Sequence, residues 1–233
     1  MKIGIIGAMD VEVASLKENM EISRVEVYAG MTFQEGKLGQ TQVVVVRSGI
    51  CKVNAALCVQ LLVDHFLVTH VINTGVAGSL NNDINIGDIV VSTSARYHDV
   101  DATIFGYQQG EIPQQGMVSF PADEFMQRAA KEAVEHAAPD VRVFLGQVIS
   151  GDQFISAKDK KQQLRRDFPE AMCCEMEGTA IAQAACLNGI PFVIIRAISD
   201  KADDSAEESY DVFEGKAARH CAAITEYMVA HMA

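Results

Sequence analysis

The sequence predicts an α/β protein in which helices cover both faces of a mostly parallel β-sheet. Segments with the pattern of strands alternate with helical segments almost throughout the 233 residues. Several of these strands are continuous apolar runs, which are typical of strands buried on both faces. A strand–turn–strand pattern near the N-terminus adds an antiparallel hairpin, so the sheet is expected to be mixed.

The individual elements follow from local patterns. Consecutive valines within 41–47 predict a buried strand, because β-branched residues favour extended backbone. Apolar residues three and four positions apart predict helices, as at 52–66. In chain order, the predicted strands are 2–7, 24–28, 32–37, 41–47, 70–74, 88–92, 141–150, 171–174 and 192–198, and the predicted helices are 11–20, 52–66, 123–138, 159–168, 178–188 and 210–231. The charged helix at 159–168 is expected to lie on the surface.

Two connections stand apart from these elements. A loop rich in Gly and Asn is predicted between the strands 70–74 and 88–92. The segment 97–120 is rich in Gly, Gln and Pro and has no clear period. A connection this long inside a compact domain usually has a function or contacts a partner. We therefore expect 97–120 to take part in function or association.

Composition and charge limit the class of protein. Apolar residues make up 49% of the chain and charged residues 21%, which predicts a single globular domain over residues 1–233. The 31 acidic and 19 basic residues give a net charge of −12, so no nucleic-acid or membrane partner is expected. The N-terminus lacks the apolar core of a signal peptide, and the six cysteines have no metal-ligand spacing. We expect reduced, mostly buried thiols in a cytoplasmic protein.

Polar side chains gather at the predicted carboxyl ends of several strands, where open α/β sheets bind their ligands. The segments GAMDVE, TGVAG, SGDQFI, EME and SD follow or end such strands. Together they supply a glycine-rich backbone, several carboxylates, one arginine and one aromatic ring. The residues concerned are Glu12, Glu175, Glu177, Arg196, Asp200 and Phe154.

Each charged residue of this set also has a structural interpretation, and the pattern leaves both open. Glu12 in the first turn of a helix favours the helix dipole, and Asp200 could cap the segment that follows its strand. Arg196 lies in an uncharged strand and needs a carboxylate nearby, in an ion pair that is either structural or catalytic. Its candidate partners are Glu175, Glu177 and Asp200.

Apolar residues and one histidine near these loops can also be interpreted in more than one way. Phe154 is either a core residue or a platform on which a base stacks, and its place next to a glycine in a strand-end loop favours stacking. Met9, Met176 and Ile50 adjoin these loops and are expected to form the wall of an apolar pocket. His98 has acidic neighbours but no second ligand at metal spacing, so we expect a solvated loop histidine and no metal site.

Several carboxylates and one arginine suit the cleavage of a bond between a sugar and its leaving group. An oxocarbenium-like transition state requires negative charge near the sugar, an acid at the leaving group and a base for water. The sequence contains no phosphate-binding loop, no nucleophile elbow and no G-x-G-x-x-G fingerprint of dinucleotide binding. No cofactor is therefore expected.

A set of motifs resembles a known family over nearly the whole chain. The segments MKIGIIGAMDVEV, SGICKVNAA, NTGVAG, GDIVVSTSARYHDVD, SGDQFI, EMEGTAIA and RAISDKAD occur in this order. They resemble the bacterial 5′-methylthioadenosine/S-adenosylhomocysteine nucleosidases, within the nucleoside phosphorylase superfamily. The resemblance implies a three-layer αβα fold around a central mixed β-sheet and a homodimer. It also implies hydrolysis of the N-glycosidic bond of these adenine nucleosides, and of 5′-deoxyadenosine, to adenine and a 5-substituted ribose.

The resemblance further implies a role for each site residue. Asp200 would protonate adenine N7 with Ser199 orienting it, and Glu12 would activate water. Glu177 would bind the ribose hydroxyls, and Arg196 would hold the water and carboxylate network. Asp200 must then carry a proton when substrate is bound, which burial or neighbouring carboxylates would favour. The other implied substrate contacts are Met9, Ile50, Val76, Ala77, Gly78, Phe154, Ile155, Glu175, Met176 and Tyr210, with Ala102, Phe105 and Pro113 of the long loop reaching the partner subunit's pocket.

The chain departs from the family's common pattern without losing an implied catalytic group: Val76 stands for Ser, Gly178 for Ala and Tyr210 for Phe. The nearest alternative is a purine nucleoside phosphorylase of the same fold. Such phosphorylases place arginines around phosphate where this chain has Glu12 and Asn73, and a carboxylate there would repel phosphate. A second alternative is a non-catalytic adenine-nucleoside-binding protein, which would have no need for three site carboxylates.

Overall fold

The computed structural model describes residues 1–200 and 206–232, with side chains described outside 206–214. These residues form ten strands and six helices. The strands are β1 (Lys2–Gly7), β2 (Glu21–Tyr28), β3 (Met31–Leu38), β4 (Thr41–Arg47), β5 (His70–Ser79), β6 (Ile89–Tyr97), β7 (Phe120–Pro121), β8 (Val143–Ser150), β9 (Ala171–Glu175) and β10 (Phe192–Asp200). The helices are α1 (Asp10–Asn19), α2 (Lys52–Phe66), α3 (Glu124–Ala137), α4 (Lys158–Asp167), α5 (Gly178–Leu187) and α6 (Ala206–His231).

The strands form one mixed sheet, as predicted. Its order is β10-β6-β8-β9-β5-β1-β4-β3-β2, and β7 pairs with β6. Strand β10 also pairs with β5, so β5, β10, β6, β8 and β9 close into a ring. The pairs β1–β4, β1–β5, β5–β10, β6–β8 and β8–β9 are parallel, whereas β2–β3, β3–β4, β5–β9, β6–β7 and β6–β10 are antiparallel.

Helices cover both faces of the sheet, which confirms the three-layer fold. Helices α1, α3 and α6 pack on one face, and α2 and α5 pack on the other. The strands divide accordingly, because alternate side chains of a strand point to opposite faces. In β1, Ile3 and Ile5 belong to the first layer of core and Ile6 to the second. Helix α4 lies apart, where Leu164 and Phe168 form a third apolar cluster.

The structure corrects several local predictions. Val76, Ala77 and Gly78 lie inside β5 rather than in a loop, because β5 pairs with β10 from Val71–Phe192 to Gly78–Asp200. Cross-strand hydrogen bonds thus extend the strand through its glycines. The prediction of a solvated His98 is wrong, since the residue is 5% exposed and its ring packs against Gly151.

The segment 97–120 has little regular structure, as its composition predicts. It contains a short 3-10 helix at Thr103–Phe105 and ends at β7. Within the residues that the structure describes, no helix combines the length and apolar character needed to cross a bilayer. The described side chains also contain no group of three or more His, Cys, Asp or Glu that could hold a metal ion. All six cysteines are free thiols.

Candidate active site

A cleft with about 470 Å³ of empty space opens at the carboxyl ends of β1, β9 and β10, alongside the second half of β5. A smaller cleft of about 250 Å³ adjoins it and shares part of its wall. The larger cleft is lined by Ala8, Met9, Glu12, Ile50, Val76, Ala77, Gly78, Phe154, Cys174, Glu175, Met176, Glu177, Ser199 and Asp200. The smaller one adds Gln153 and Ile155. In an open α/β sheet, the carboxyl ends of the strands are the usual place for a small-molecule site.

Glu12 is a buried carboxylate that both caps its own helix and reaches a neighbouring strand. Its Oε2 accepts the backbone N–H groups of Ala8 at 2.6 Å and Met9 at 3.0 Å, at the N-terminus of α1. Its Oε1 accepts the N–H of Val76 in β5 at 3.1 Å. The structural interpretation of Glu12 is therefore correct as far as it goes, but the same side chain also lines the cleft.

Arg196 lies beneath the cleft, buried in β10. Its Nη2 donates to Glu175 Oε2 and to Asn73 Oδ1, both at 2.5 Å. Of the three candidate partners for Arg196, the structure thus selects Glu175. The Glu175 carboxylate also accepts the N–H groups of Glu177 and Gly178 at the start of α5 and the hydroxyl of Ser150. Arg196 and Glu175 thus form a buried, hydrogen-bonded ion pair at the cleft wall.

Glu177 faces the cleft from the start of α5. Its Oε1 accepts the N–H of Cys51 at 2.8 Å, which joins the start of α5 to the loop before α2. That loop is held in turn by Lys52, whose Nζ lies 2.7 Å from Asp99 and whose N–H donates to Asp152 at 2.9 Å. The carboxylate of Glu177 is thus placed by loops from three parts of the chain.

The three glutamates share one guanidinium, and their protonation differs accordingly. Burial alone would raise the pKa of Glu175, but Arg196 and several hydrogen bonds lower it overall. Burial raises the pKa of Glu12, only partly offset by Arg196. Burial and then the negative charge of Glu175 raise the pKa of Glu177 to about 8. One carboxylate is firmly ionised, and two are poised to exchange protons closer to neutral pH.

Asp200 closes the other side of the cleft, at the end of β10. Its Oδ1 accepts the hydroxyl of Ser199 at 3.2 Å, the contact through which Ser199 would orient the carboxyl. Its Oδ2 forms an ion pair with Lys161 Nζ at 2.7 Å. The carboxyl is buried, as expected for an acid, but its charged neighbour is an ammonium and not another carboxylate.

The wall beside Asp200 is aromatic and apolar. Phe154 is 52% exposed and lines both clefts, so it is not a core residue. Ile155, by contrast, is buried and packs with the apolar cluster under α4. A half-exposed aromatic ring next to a buried carboxyl suits a flat heterocycle that accepts a proton.

Known proteins match nearly the whole of this chain. A model of the phosphorylase superfamily matches residues 2–230. The 5′-methylthioadenosine/S-adenosylhomocysteine nucleosidase of Staphylococcus haemolyticus is 41% identical over 228 residues, covering 97% of this chain and 98% of that protein. The chain belongs to this nucleosidase family. The solved nucleosidase of Colwellia psychrerythraea in complex with adenine has a TM-score of 0.94 at 40% identity, covering 98% of this chain and 94% of that one. That of Neisseria meningitidis in complex with methylthio-immucillin-A has a TM-score of 0.94 at 38% identity, covering 98% of each chain.

Family membership confirms the resemblance drawn from the motifs and disfavours both alternatives, the phosphorylase and the non-catalytic binder. The structure brings most of the predicted site residues together, with Arg196 just beneath the cleft wall. Three of them lie away from the cleft of their own chain: Ala102 is buried elsewhere, and Phe105 and Pro113 are exposed on the long loop. The side chain of Tyr210 lies outside the described residues, so its predicted contact stays a prediction.

Sequence reasoning missed several residues of the site. Asn73 and Ser150 hold the Arg196–Glu175 pair, and Cys174 lines the cleft. Lys161 was missed because helix α4 is charged along most of its length and was expected on the surface, whereas this one side chain is 0% exposed. Its only sequence signal is position: it stands three residues before Leu164, on the apolar side of the helix.

Proposed function

We propose that the chain is a hydrolase that cleaves the N-glycosidic bond of 5′-methylthioadenosine and S-adenosylhomocysteine, and also of 5′-deoxyadenosine. The products are adenine and a 5-substituted ribose, so the enzyme would serve methionine salvage and the recycling of S-adenosylmethionine by-products. One observation carries the proposal: a single cleft holds Glu12 and Glu177 on one side and Asp200 beside the exposed ring of Phe154 on the other. The names of the matched relatives support the same reaction.

The geometry supports a separate role in the reaction for each of these side chains. In the proposed reaction, Glu12 takes a proton from water as the water oxygen attacks C1′ of the sugar. The C1′–N9 bond breaks, its electrons stay on adenine, and the proton of Asp200 passes to N7. Glu177 accepts the ribose hydroxyls, and Phe154 stacks on the base. The raised pKa of Glu12 suits a base that must take up a proton, and the negative charge of the site stabilises an oxocarbenium-like sugar.

The same charges favour water over phosphate as the attacking group. A phosphate ion needs cations that are free to bind it. The Arg196 guanidinium is already bound to Glu175 and Asn73, beneath the cleft. The Glu12 carboxylate, which must be ionised to act as the base, lines the cleft itself and would repel an anion. Hydrolysis is therefore the reaction that this site supports.

The proposal extends to assembly and location. We propose one domain over residues 1–233 in the cytoplasm, and a homodimer in which the long loop completes the partner subunit's pocket. Exposed apolar side chains support the dimer: Ile104 is 87% exposed and Phe105 80%. On the neighbouring helix α2 and the loop before it, Val53, Leu57 and Ile50 are exposed as well. A hydrogen bond from Gln183 of α5 to Gln115 holds the loop on this side of the molecule. An exposed apolar area of this kind marks a protein–protein interface.

The test is to incubate the protein with 5′-methylthioadenosine in phosphate-free buffer and to measure adenine release. The proposal predicts free adenine and a free 5-methylthioribose without added phosphate. The Glu12→Gln variant serves as a matched control, since it keeps the shape of the side chain and removes the base. A requirement for phosphate, with ribose 1-phosphate as product, would show that the chain is a phosphorylase. Tight binding without cleavage would show a binding protein.

A further inference from the structure

Lys161 and Asp200 form a buried ion pair that the proposed reaction leaves unexplained. The Lys161 side chain is 0% exposed and that of Asp200 3%, and the Nζ–Oδ2 distance is 2.7 Å. Removing two charges from water is unfavourable, and their attraction offsets that cost only in favourable geometry. Such a pair is weak evidence for stability, so a role in the site is the better explanation for its presence here.

The position of Lys161 in the chain links this ion pair to the base-binding wall. Lys161 lies in the first turn of α4, where its N–H donates to the carbonyl of Ala157 at 3.0 Å. The segment that runs into this helix carries Phe154 and Ile155, which line the smaller cleft together with Asp200. The helix itself is held to the sheet by Leu164, in the apolar cluster that also contains Ile155. One continuous piece of chain therefore supplies both the wall for the base and the cation on the acid.

Both oxygens of the Asp200 carboxyl have a partner on the protein. Lys161 Nζ contacts Oδ2, and the Ser199 hydroxyl donates to Oδ1. The carboxyl also lies against Gly78, where a Cβ would stand 2.9 Å from Oδ2 and 3.1 Å from Oδ1. These contacts fix the orientation of the carboxyl before any substrate arrives, which reduces the cost of organising the acid in the transition state.

We propose that Lys161 is a positioning residue for the acid Asp200, and that it stabilises the carboxylate that remains once Asp200 has given its proton to the leaving base. The proposal rests on the proposed function, in which Asp200 donates that proton. As the proton moves to the base, negative charge develops on Asp200, and an ammonium already in place favours the transition state over the ground state. Because Lys161 follows the base-binding segment, displacement of that segment would also displace the cation. Protonation of the leaving group is thereby tied to correct seating of the base.

The test compares substrates that do and do not need an acid. Lys161→Met keeps most of the side-chain length and removes the charge, whereas Lys160→Met, on the adjacent position of α4, is the matched control. With 5′-methylthioadenosine, we expect kcat for Lys161→Met to fall about tenfold to a hundredfold, with a smaller change in KM. Lys161→Arg should recover part of kcat, because it restores the positive charge. Lys160→Met should resemble the unmodified protein.

A 5-methylthioriboside of 4-nitrophenol provides the second arm, because nitrophenolate leaves without being protonated. There we expect Lys161→Met to lose less than about threefold. In the Asp200→Asn background, adding Lys161→Met should cause no further loss, since a residue that acts through Asp200 has nothing left to act on. Equal losses on both substrates, or a full additional loss in the double variant, would overturn the proposal.

Misfolding of Lys161→Met and failure of the proposed function can each be distinguished from failure of the proposal for Lys161. If Lys161→Met does not fold, as judged by its thermal unfolding, Lys161→Gln is measured on the same two substrates, and the ratio of the two losses decides. If the unmodified protein releases no adenine in phosphate-free buffer, the proposed function fails first. If it does release adenine and the variants show no dependence on the leaving group, only the role of Lys161 is wrong.

Discussion

Single carboxylates in this cleft differ in their chemistry because of their immediate neighbours. Glu175 bonds directly to Arg196, and its pKa is lowered overall despite its burial. Glu12 and Glu177 are buried without a direct bond to that guanidinium among the hydrogen bonds of the described residues, and their pKa values are raised. Arg196 thus favours the ionised form of the carboxylate that it bonds directly and leaves Glu12 and Glu177, in the same cleft, able to accept protons. Environment rather than residue type assigns the roles.

The first prediction at this scale concerns the acid. Asp200→Asn keeps the shape of the side chain but removes the proton that would reach the base. We expect kcat to fall about a hundredfold to ten-thousandfold, the usual contribution of a general acid, while adenine still binds. Adenine release and calorimetric titration with adenine measure the two quantities. Near-normal turnover would remove Asp200 from the mechanism.

The second prediction concerns the pH dependence of stability. The pKa of Glu177 is about 8 in the folded protein and has an ordinary value of 4.5. Between these values the folded state holds a proton that the unfolded state has released, so the free energy of unfolding falls as pH rises. We expect Glu177→Gln to remove part of this fall and to be more stable than the unmodified protein at pH 8.5 by about 1–3 kcal/mol.

Urea unfolding at pH 6 and pH 8.5 measures this difference. Glu18→Gln is the control, because Glu18 is an exposed carboxylate of α1 away from the cleft. Some pH dependence should remain in Glu177→Gln, since the raised pKa of Glu12 acts in the same direction. If Glu177→Gln and Glu18→Gln lose stability equally between the two pH values, Glu177 is not the group responsible.

At the scale of elements, the second half of β5 is the part of the sheet on which the site is assembled. It pairs with β10 on one side and with β9 at its end, so residues of three strands meet there. Close approach is possible because two positions lack a side chain. A Cβ on Gly75 would overlap Glu12 Oε1 and lie 3.0 Å from Arg196 Nη1, and a Cβ on Gly78 would crowd Asp200. The glycines of this strand make room for the carboxylates.

The prediction at this scale is that Gly75→Ala damages activity more than stability. The added methyl displaces the carboxylate of Glu12, so we expect kcat to fall about tenfold or more, with a stability loss of about 1–3 kcal/mol. Gly4→Ala in β1 is the matched control, because its methyl would meet the end of the flexible Leu62 side chain, away from the cleft. It should cost stability and leave kcat unchanged. The same kcat for both variants would contradict this account of Gly75.

At the scale of the whole molecule, the described residues form a three-layer fold that leaves apolar side chains exposed on one loop. The cleft is built from one chain, yet the predicted contacts Ala102, Phe105 and Pro113 do not line it. Ile104 and Phe105, which have the most exposed large apolar side chains among the described residues, lie in the same loop. A second copy of the chain would account for both observations, because it would bury the loop and bring these residues to a pocket.

The corresponding prediction is that Phe105→Asp weakens the dimer at least about tenfold and lowers activity in parallel, because a buried unpaired charge opposes association. Analytical ultracentrifugation over a range of concentrations, with adenine release measured on the same samples, tests it. Phe125→Asp is the control: Phe125 is also exposed, but it lies on α3, across the sheet from α2. A monomeric unmodified protein with full activity would contradict the proposed assembly.

Sequence patterns predicted elements well where the signal is local. The bounds of β4 and α2 agree with the predicted 41–47 and 52–66, because a valine run and a helical period depend only on neighbouring residues. Sequence patterns failed where contacts between residues far apart in the chain determine the length or the burial of an element. The patterns end β5 too early, at its glycines, whereas the strand continues to Ser79. They place His98 and helix α4 in contact with solvent, whereas His98 and Lys161 of α4 are buried. In each case a partner far along the chain, such as β10 or Asp200, overrides the local pattern.

The sequence by itself determined the family, the alternation of strands and helices, and most of the residues that line the cleft, because motifs and periodicity are properties of consecutive residues. Only the tertiary structure decided how those residues are paired. Arg196 bonds Asn73, 123 positions away, and it takes Glu175 rather than the other carboxylates. Lys161 is buried against Asp200, 39 positions away. Charge pairing and burial depend on which side chains meet across the sheet, and that is a property of the fold.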